Sequence, residues 1–342
     1  IKRLGMTGVA MNNFLKTTLW ASLVALTLAA CGGDKPTAQA DLAASQAKTV
    51  AITAIVEHPA LDAARQGALD QLTKEGFKEG ENLTVNFQSA QGNMATAGQI
   101  ARQFTSDNPD LIYAIATPSA QAIAAATQDI PVVFSAVTDP IEARLVANLE
   151  NSGNNITGAS DALPYEPQIA LIQELVPTVK NVGYVFSPGE VNSTVVLKTL
   201  KEKLAPLGIN VIEAPAQKSS DITQAANSLV GRVDVIYTST DNNVINAYEA
   251  LYQVAKTAKI PLISADTSTV ERGAVAALGV NYTDLGKEAG KIIARILKGE
   301  KPADIPVHIS ENLDLYISKK HAAEQGIILP QAVIDRATKV VE

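Results

Sequence analysis

The sequence is poor in cysteine, histidine and aromatic residues. Its 342 residues include one cysteine, one tryptophan and three histidines, and aromatic residues make up 4% of the chain. A single cysteine excludes an intrachain disulfide, so the fold must be stabilised by its core. The histidines His58, His308 and His321 lack the spacing of a zinc motif. A carbohydrate site built on tryptophan stacking is disfavoured, because the only tryptophan is Trp20.

Basic residues are fewer than acidic residues in this sequence. Lys and Arg total 28 against 35 Asp and Glu, which gives a net charge of −7. Binding to a phosphate backbone requires clusters of Lys and Arg, so nucleic acid is not an expected partner. Hydrophobic residues reach 46% of the chain, enough to fill a core in each of two lobes of roughly 120–150 residues.

Several catalytic signatures are missing as well. The sequence contains no G-x-S-x-G elbow, no G-x-x-x-x-G-K-[ST] loop, no G-x-G-x-x-G after a predicted strand and no H-E-x-x-H. We therefore expect neither enzymatic activity nor a metal ion or cofactor. The residues leave open one alternative, a small-molecule hydrolase that uses His58 in a Ser-His-Asp arrangement.

The first 30 residues have the composition of an export signal. Lys16 precedes an apolar run over residues 19–30, which has the length of a signal-peptide core and is too short to span a bilayer comfortably. The run ends in Leu-Ala-Ala directly before Cys31, a combination that resembles a bacterial lipoprotein box. We predict that residues 1–30 are a signal peptide, with the residues before Met11 as an upstream extension, and that Cys31 is lipidated.

Residues 31–47 contain mostly Gly, Pro, Ala and Ser with few large apolar side chains. This composition predicts a flexible tether. A lipidated cysteine followed by a tether predicts an exported protein that is anchored to the cell membrane and faces the periplasm or the cell exterior.

From Thr49 onward, short β-branched runs alternate with amphipathic helical patterns. In the first half the spacing predicts strands at 50–56, 83–87, 111–116 and 132–134, with helices at 60–75, 95–105 and from Ser119. The second half repeats the pattern, with strands at 182–186, 210–213, 235–238, 261–264 and 274–278. This alternation, with short loops, predicts an α/β fold of parallel sheets flanked by helices.

The candidate ligand-binding residues follow the predicted strands. In an open parallel sheet, ligands bind beyond the carboxyl ends of the strands, where helix N-termini present unpaired N–H groups. The first half contributes Glu57, His58, Thr117, Pro118, Ser119, Gln121, Ser135, Ala136 and Val137. The second half contributes Glu190, Asn192, Ser193, Asp241, Asn242 and Asp266. We predict that these residues line one ligand site.

The predicted site suits an α-amino acid. The helix start at Thr117–Ser119 would attract a carboxylate through its N–H groups and dipole. Asp241 and Asp266, on the other half, could receive an ammonium group. Alternatively, Ser119, Ser193 and Asp241 could be ordinary N-caps and turn formers.

A family resemblance adds to this interpretation. It is carried by ATPSAQA from Ala116, FSAVTDP from Phe134, FSPGEVNS from Phe186, TDNNV from Thr240 and ALGVNYTDLG from Ala277. In this order the segments resemble the ABC-importer substrate-binding family associated with tryptophan and tyrosine uptake. The resemblance covers essentially all residues from Thr49 to the end. One departure is the sequence Phe-Ser-Pro from Phe186, where the family more usually has Tyr-Asn-Pro, which removes an amide near the ligand.

The resemblance implies a two-lobed periplasmic-binding-protein fold (type I) in which the chain crosses between the lobes three times. Lobe 1 would contain residues 48–161 and 283–307, and lobe 2 would contain residues 162–282 and 308–342. A small ligand, expected to be an amino acid and by the resemblance an aromatic one, would bind between the lobes. Hinge closure would follow, with delivery to an ABC permease.

Two points stay open from the sequence. Phe134, Tyr165 and Tyr282 could line a pocket for an aromatic ligand or could be plain core. The chain could also be a lipid-anchored sensor domain that passes its signal to a partner other than a permease.

Overall fold

A computed structural model describes residues 47–342 of the chain. The predicted signal peptide, the lipidation site Cys31 and nearly all of the predicted tether lie outside the described residues. Residues 47–342 form two α/β lobes, each with one central sheet and its own buried apolar core.

The sheet of lobe 1 has six strands in the order β11-β5-β4-β3-β1-β2, and all of its pairings are parallel. Its strands are β1 (Lys48–Ala54), β2 (Leu83–Ser89), β3 (Leu111–Ile115), β4 (Val132–Val137), β5 (Ile156–Ser160) and β11 (His308–Ile309). The flanking helices are α1 (Pro59–Lys74), α2 (Met94–Asp107), α3 (Thr117–Ala126) and α9 (Tyr282–Leu297). Because helices cover both faces, β3 and β4 are apolar along their length and fully buried.

The sheet of lobe 2 has seven strands in the order β13-β12-β10-β9-β8-β6-β7. They are β6 (Asn181–Phe186), β7 (Asn210–Pro215), β8 (Val235–Thr238), β9 (Leu262–Ser264), β10 (Ala276–Gly279), β12 (Asp314–Ser318) and β13 (Lys339–Val341). The helices are α4 (Tyr165–Leu175), α5 (Val191–Leu204), α6 (Ile222–Asn227), α7 (Asn242–Asn246), α8 (Tyr248–Ala258), α10 (Lys319–Glu324) and α11 (Gln331–Asp335). The predicted architecture of parallel sheets flanked by helices is confirmed, although β12 runs antiparallel to β10.

The chain passes between the two sheets three times, as the resemblance implied: at residues 161–164, 280–281 and 310–313. All of these segments follow the carboxyl ends of lobe 1 or lobe 2 strands. This explains the direction of β12, because a strand that enters its sheet from this side must run opposite to its neighbour. One boundary needs correction. Lobe 1 was predicted to end at residue 307, but His308 and Ile309 still pair with Ala159 and Ser160.

Helix α9 returns from lobe 2 and packs closely on α1 of lobe 1. Three glycines allow the two backbones to touch. A β-carbon on Gly286 would lie 2.0 Å from the carbonyl oxygen of Ala64, and one on Gly67 would lie 2.3 Å from that of Thr283. Gly290 meets Ala68 in the same way, at 2.7 Å. Because backbone atoms cannot move aside cheaply, these positions require glycine.

We predict that Gly286→Ala lowers the free energy of unfolding by about 1–3 kcal/mol, because the added methyl group forces the two helices apart. Gly98→Ala is the matched control. Gly98 lies in α2, where a β-carbon would meet only the end of the Arg102 side chain at 3.6 Å. It should therefore stabilise by about 0.5–1 kcal/mol through helix propensity. Denaturant unfolding of both variants measures the contrast, and equal effects would contradict the packing argument.

Candidate functional site

The carboxyl ends of the two sheets face each other across a cleft, and the lobes are closed on it. The hydroxyl of Thr138, which follows β4, lies 3.1 Å from the hydroxyl of Thr240, which follows β8. Helices α3 and α5, which follow β3 and β6, also contact each other across the cleft. Predicted site residues from both halves, although not all of them, thus lie at one interface.

On the lobe 1 side, α3 begins without a side-chain cap. Its N-cap residue is Ala116, which offers no oxygen to the first N–H groups. The hydroxyls of Thr117 and Ser119 are buried, with 1% exposure for each residue, and have no hydrogen-bond partner among the described residues. Buried hydroxyls are nearly always paired, so this helix start lacks a polar group that would complete it.

Helix α5 of lobe 2 also begins without a side-chain cap. Glu190 is the N-cap of α5, and its side chain makes no capping hydrogen bond to the helix. The Asn192 side chain donates to Glu190 Oε2 at 3.0 Å and to the Thr240 carbonyl at 3.1 Å. Its Oδ1 is buried and has no partner within residues 47–342. The two helices that contact each other across the cleft therefore both begin without a side-chain cap, and helix N-termini of this kind attract anions.

Backbone strain accompanies these helix starts. Ala116 has a φ of 77° and Ala136 a φ of 55°, both in the left-handed region that residues with a β-carbon rarely occupy. The two residues end neighbouring strands, and the Ala116 N–H donates to the Ser135 carbonyl at 2.9 Å. Strained alanines concentrated at a cleft are typical of backbone shaped for a function rather than for stability.

Two buried carboxyl groups, one from each side of the cleft, line a small cavity that we call the polar compartment. Its other polar lining residues are His58, Thr240, Asn242 and Tyr282. Asp161 accepts hydrogen bonds from Tyr282 Oη at 2.8 Å and from Thr138 Oγ1 at 3.1 Å. Burial raises the pKa of Asp161 to about 6. Asp266 accepts from the Ser268 N–H at 2.8 Å, and burial raises its pKa also.

Asp161 was not among the predicted site residues. It follows β5, whose sequence Ile-Thr-Gly-Ala-Ser contains a glycine and a serine and does not read as a strand. Asp266, in contrast, was predicted and lies in the polar compartment. The signal that the sequence offered is an acidic residue directly after five residues without a charged side chain.

Asp241 does not have the ammonium-binding role predicted for it. Its Oδ2 accepts from the Ser187 N–H at 2.6 Å, and its Oδ1 accepts from Ser187 Oγ at 2.8 Å and from the Val244 N–H at 3.0 Å. The residue is fully buried and caps α7. Both of its oxygens accept hydrogen bonds inside lobe 2, so Asp241 holds the loop after β6 against the loop after β8. The structure thus agrees with the alternative that Asp241 is an N-cap.

Glu190 is likewise occupied within lobe 2. Its Oε2 accepts from Asn192 Nδ2, from the Asn242 N–H at 3.1 Å and from Asn242 Nδ2 at 2.7 Å. Burial, followed by the nearby charge of Asp241, raises the pKa of Glu190 well above its usual range. Glu190 Oε2 therefore positions the two asparagines at the cleft.

His58 lies in the polar compartment and is buried. Burial, followed by the charge of Arg272, lowers its pKa to about 3, so the imidazole is neutral near pH 7. Among the described residues, no serine hydroxyl is hydrogen-bonded to His58. The triad needed for the hydrolase alternative is therefore not assembled around this ring.

The remaining predicted residues divide into two groups. Pro118, Ala136 and Asn242 are buried at the cleft with the residues described above, whereas the Ser193 hydroxyl lies 3.3 Å from Tyr184 Oη inside lobe 2. Glu57, Gln121, Ser135 and Val137 have surroundings other than the predicted site. Glu57 is exposed, and Gln121 donates to the Ala143 carbonyl at 3.2 Å. The Ser135 hydroxyl pairs with Tyr113 Oη at 2.6 Å inside lobe 1, where Val137 is also core.

A second cavity, which we call the inner compartment, adjoins the first at Asp161 and Thr240. Its walls are formed mainly by Leu163, Tyr165, Gln168, Val196, Tyr237 and Ala265. Of the three aromatic candidates, Tyr165 and Tyr282 each line a compartment, whereas Phe134 is buried core that packs against Gly158.

Residues 47–342 contain no group of three or more His, Cys, Asp and Glu side chains placed to hold a metal ion. They also contain no helix with the length and apolarity needed to cross a membrane.

The fold and the closed cleft define a two-lobed binding protein of the periplasmic-binding type. Residues 49–341 match the family described as ABC transporter substrate binding protein, and the chain belongs to this family. A protein named tyrosine-binding protein from Clostridioides difficile (strain R20291) is 40% identical over 272 residues, which are 80% of this chain and 79% of that one.

Two solved structures bear on the state of the cleft. One is an ABC domain in complex with L-Trp from Streptococcus pneumonia, 33% identical, which matches 86% of this chain and 99% of its own with a TM-score of 0.83. The other is a ligand-free, open structure of a substrate binding protein with adhesive properties from Clostridium difficile. It is 40% identical and matches the same shares of the two chains with a TM-score of 0.65.

We predict that the ligand-free protein becomes less stable as pH rises through about 6, and that Asp161→Asn removes part of this loss. The folded pKa of Asp161 is above its unfolded value near 4, so its contribution is fully present below pH 4 and is lost as pH rises through about 6. The difference amounts to about 3 kcal/mol at most. Unfolding midpoints between pH 4 and 8 measure it. The exposed control Asp70→Asn should follow the wild-type curve, and so would Asp161→Asn if the burial argument were wrong.

Proposed function

We propose that this protein is the amino-acid-binding component of an ABC importer and that it captures an aromatic amino acid between its lobes. The observation that carries the proposal is the opposite polarity of two groups in one closed cleft. The uncapped starts of α3 and α5 favour an anion, and the buried carboxylates Asp161 and Asp266 favour a cation. An α-amino acid carries both charges, on two groups attached to the same carbon atom.

The carboxylate of the ligand would accept hydrogen bonds from the hydroxyls of Thr117 and Ser119 and from the first N–H groups of α3. These hydroxyls are buried and unpaired within the described chain, so a ligand oxygen would complete their hydrogen bonding.

The ammonium group would be placed between Asp161 and Asp266. These carboxyls come from different sides of the cleft, so a cation shared by them joins the two lobes. Without a ligand, burying both in the same cavity is unfavourable, because neither has a lysine or arginine ion-pair partner within 4 Å among the described residues. Ligand charge would thus favour the closed state.

Hinge closure is supported by the two solved relatives. This chain is more similar in structure to the L-Trp complex than to the ligand-free, open protein, although it is less identical in sequence to the former. A closed state of this kind is the form in which a binding protein would present its ligand to a permease. The names of the relatives favour tyrosine or tryptophan as the ligand.

The sensor alternative shares this site and differs only in the partner. A permease encoded beside this protein would favour transport, and a signalling receptor in that place would favour the sensor.

We predict that calorimetry of residues 47–342, refolded to remove carried-over ligand, detects binding of tyrosine or tryptophan. Asp161→Asn should weaken it by about 2–5 kcal/mol, because a desolvated ammonium would lose its charged partner. Ser119→Ala should cost about 1.5–3 kcal/mol through loss of a hydrogen bond to a carboxylate. Gln121→Ala, whose side chain is bonded within lobe 1, is the control and should bind normally. Normal binding by Asp161→Asn, or no binding of any amino acid by wild type, would contradict the proposal.

The export and anchoring of the protein rest on the sequence of residues 1–47. We predict that the full-length protein expressed in a bacterial host incorporates radiolabelled palmitate and sediments with membranes. Cys31→Ser should lose both properties, because the thiol is the proposed acylation site. Ser45→Ala, in the tether, is a matched control. Membrane association and labelling that survive Cys31→Ser would rule out this anchor.

A further inference from the structure

The inner compartment differs in chemistry from the polar compartment beside it. Leu163, Tyr165, Val196 and Ala265 give it an apolar and aromatic lining. It opens at Asp161 and Thr240, which it shares with the polar compartment where the ammonium is proposed to bind. A side chain attached to that ammonium-bearing carbon therefore has the inner compartment as a neighbouring space of suitable polarity.

One part of this apolar space is polar. The hydroxyl of Tyr237 donates to Gln168 Oε1 at 3.3 Å, and Gln168 Nε2 donates to the Leu278 carbonyl at 2.8 Å. Both residues are almost completely buried, with 2% and 1% exposure. The 3.3 Å contact is long for a hydrogen bond to a hydroxyl, and Gln168 Oε1 and Tyr237 Oη each retain unused lone pairs.

The strand geometry separates this polar pair from the mouth of the compartment. Tyr237 of β8 and Ser239, directly after the strand, both line it, as expected for residues two apart on an extended chain, whereas Thr238 points away and approaches Tyr248. Thr240 is three residues beyond Tyr237, which is about 10 Å along an extended chain. The polar pair and the mouth at Thr240 are therefore separated along the compartment wall that follows the chain from Tyr237 to Thr240.

We propose that the inner compartment holds the side chain of the ligand and that Gln168 and Tyr237 select a ring bearing a hydrogen-bonding group, as in tyrosine or tryptophan, over phenylalanine. The inference rests on the proposed function and assigns a specificity role to two residues within its site. A phenol or indole N–H can donate to Gln168 Oε1, and a phenol oxygen can also accept from Tyr237. A phenyl ring offers neither interaction and covers both groups.

The expected preference for tyrosine over phenylalanine follows from the hydrogen bonds that a phenyl ring cannot make. Sites that hydrogen-bond a substrate hydroxyl reject the analogue without it, because their own buried polar groups would be left unpaired. Gln168 and Tyr237 already bond weakly to each other, so the penalty is partly relieved. We therefore expect a preference of about tenfold to a hundredfold for tyrosine over phenylalanine, below that of a fully dedicated hydroxyl site.

The test compares tyrosine and phenylalanine by calorimetry on residues 47–342, which contain both lobes. Gln168→Met keeps the side-chain length and removes the polar atoms, and we expect it to weaken tyrosine about tenfold while phenylalanine changes by less than about threefold. Tyr237→Phe removes only one hydroxyl and should shift the same ratio in the same direction, by a smaller factor. It covers the case in which Gln168→Met does not fold. Gln173→Met, on the exposed face of the same helix, is the matched control and should keep the wild-type ratio.

The test distinguishes a failure of the specificity role from a failure of the proposed function. Wild-type protein that binds tyrosine and phenylalanine equally well, or variants that weaken both by the same factor, would overturn the specificity role and leave the amino-acid site in place. Wild-type protein that binds no amino acid would overturn the proposed function and this inference together.

Discussion

The structure depends on how negative charge is buried between the two lobes. Asp161, Glu190, Asp241 and Asp266 are almost fully shielded from water at this junction. Isolated buried carboxylates are strongly unfavourable, so each must be paired, protonated or hydrogen-bonded. Lobe 2 supplies its own N–H, amide and hydroxyl donors to both oxygens of Asp241 and to Oε2 of Glu190. Asp161 and Asp266 have fewer internal partners and face a cavity, so a cation brought by a ligand would relieve the unfavourable burial that closing the lobes creates.

The fold places these charges together because parallel strands end on the same side of a sheet. Each lobe directs its loops and helix starts toward the other, and the three chain crossings hold the two edges in opposition. The close packing of Gly286 against α1 attaches the returning helix to lobe 1, so that the freedom between the lobes is confined to the crossing segments. The same arrangement sets Thr138 against Thr240 when the cleft is closed.

Much of this could be predicted from the sequence, and the exceptions have physical reasons. Thr117, Ser119 and Asp266 were identified because long apolar runs end just before them. Asp161 was overlooked because β5 is stabilised by its neighbours in the sheet and not by its own composition. Asp241 was assigned to the ligand, because an acidic residue after a strand and before a helix looks the same whether it caps the helix or faces a cleft. Only the positions of Ser187 and Val244 separate the two roles.

The central claim is that one ligand joins both lobes and thereby closes them. Residues 47–342 contain no cysteine, so spin labels can be introduced at the exposed positions Met94 of lobe 1 and Lys218 of lobe 2. Double electron–electron resonance should show a distance distribution that shortens when tyrosine is added, while a pair within lobe 2, at Leu207 and Lys218, stays constant. Tyrosine that binds to the labelled protein without changing the distance between the lobes would contradict the account.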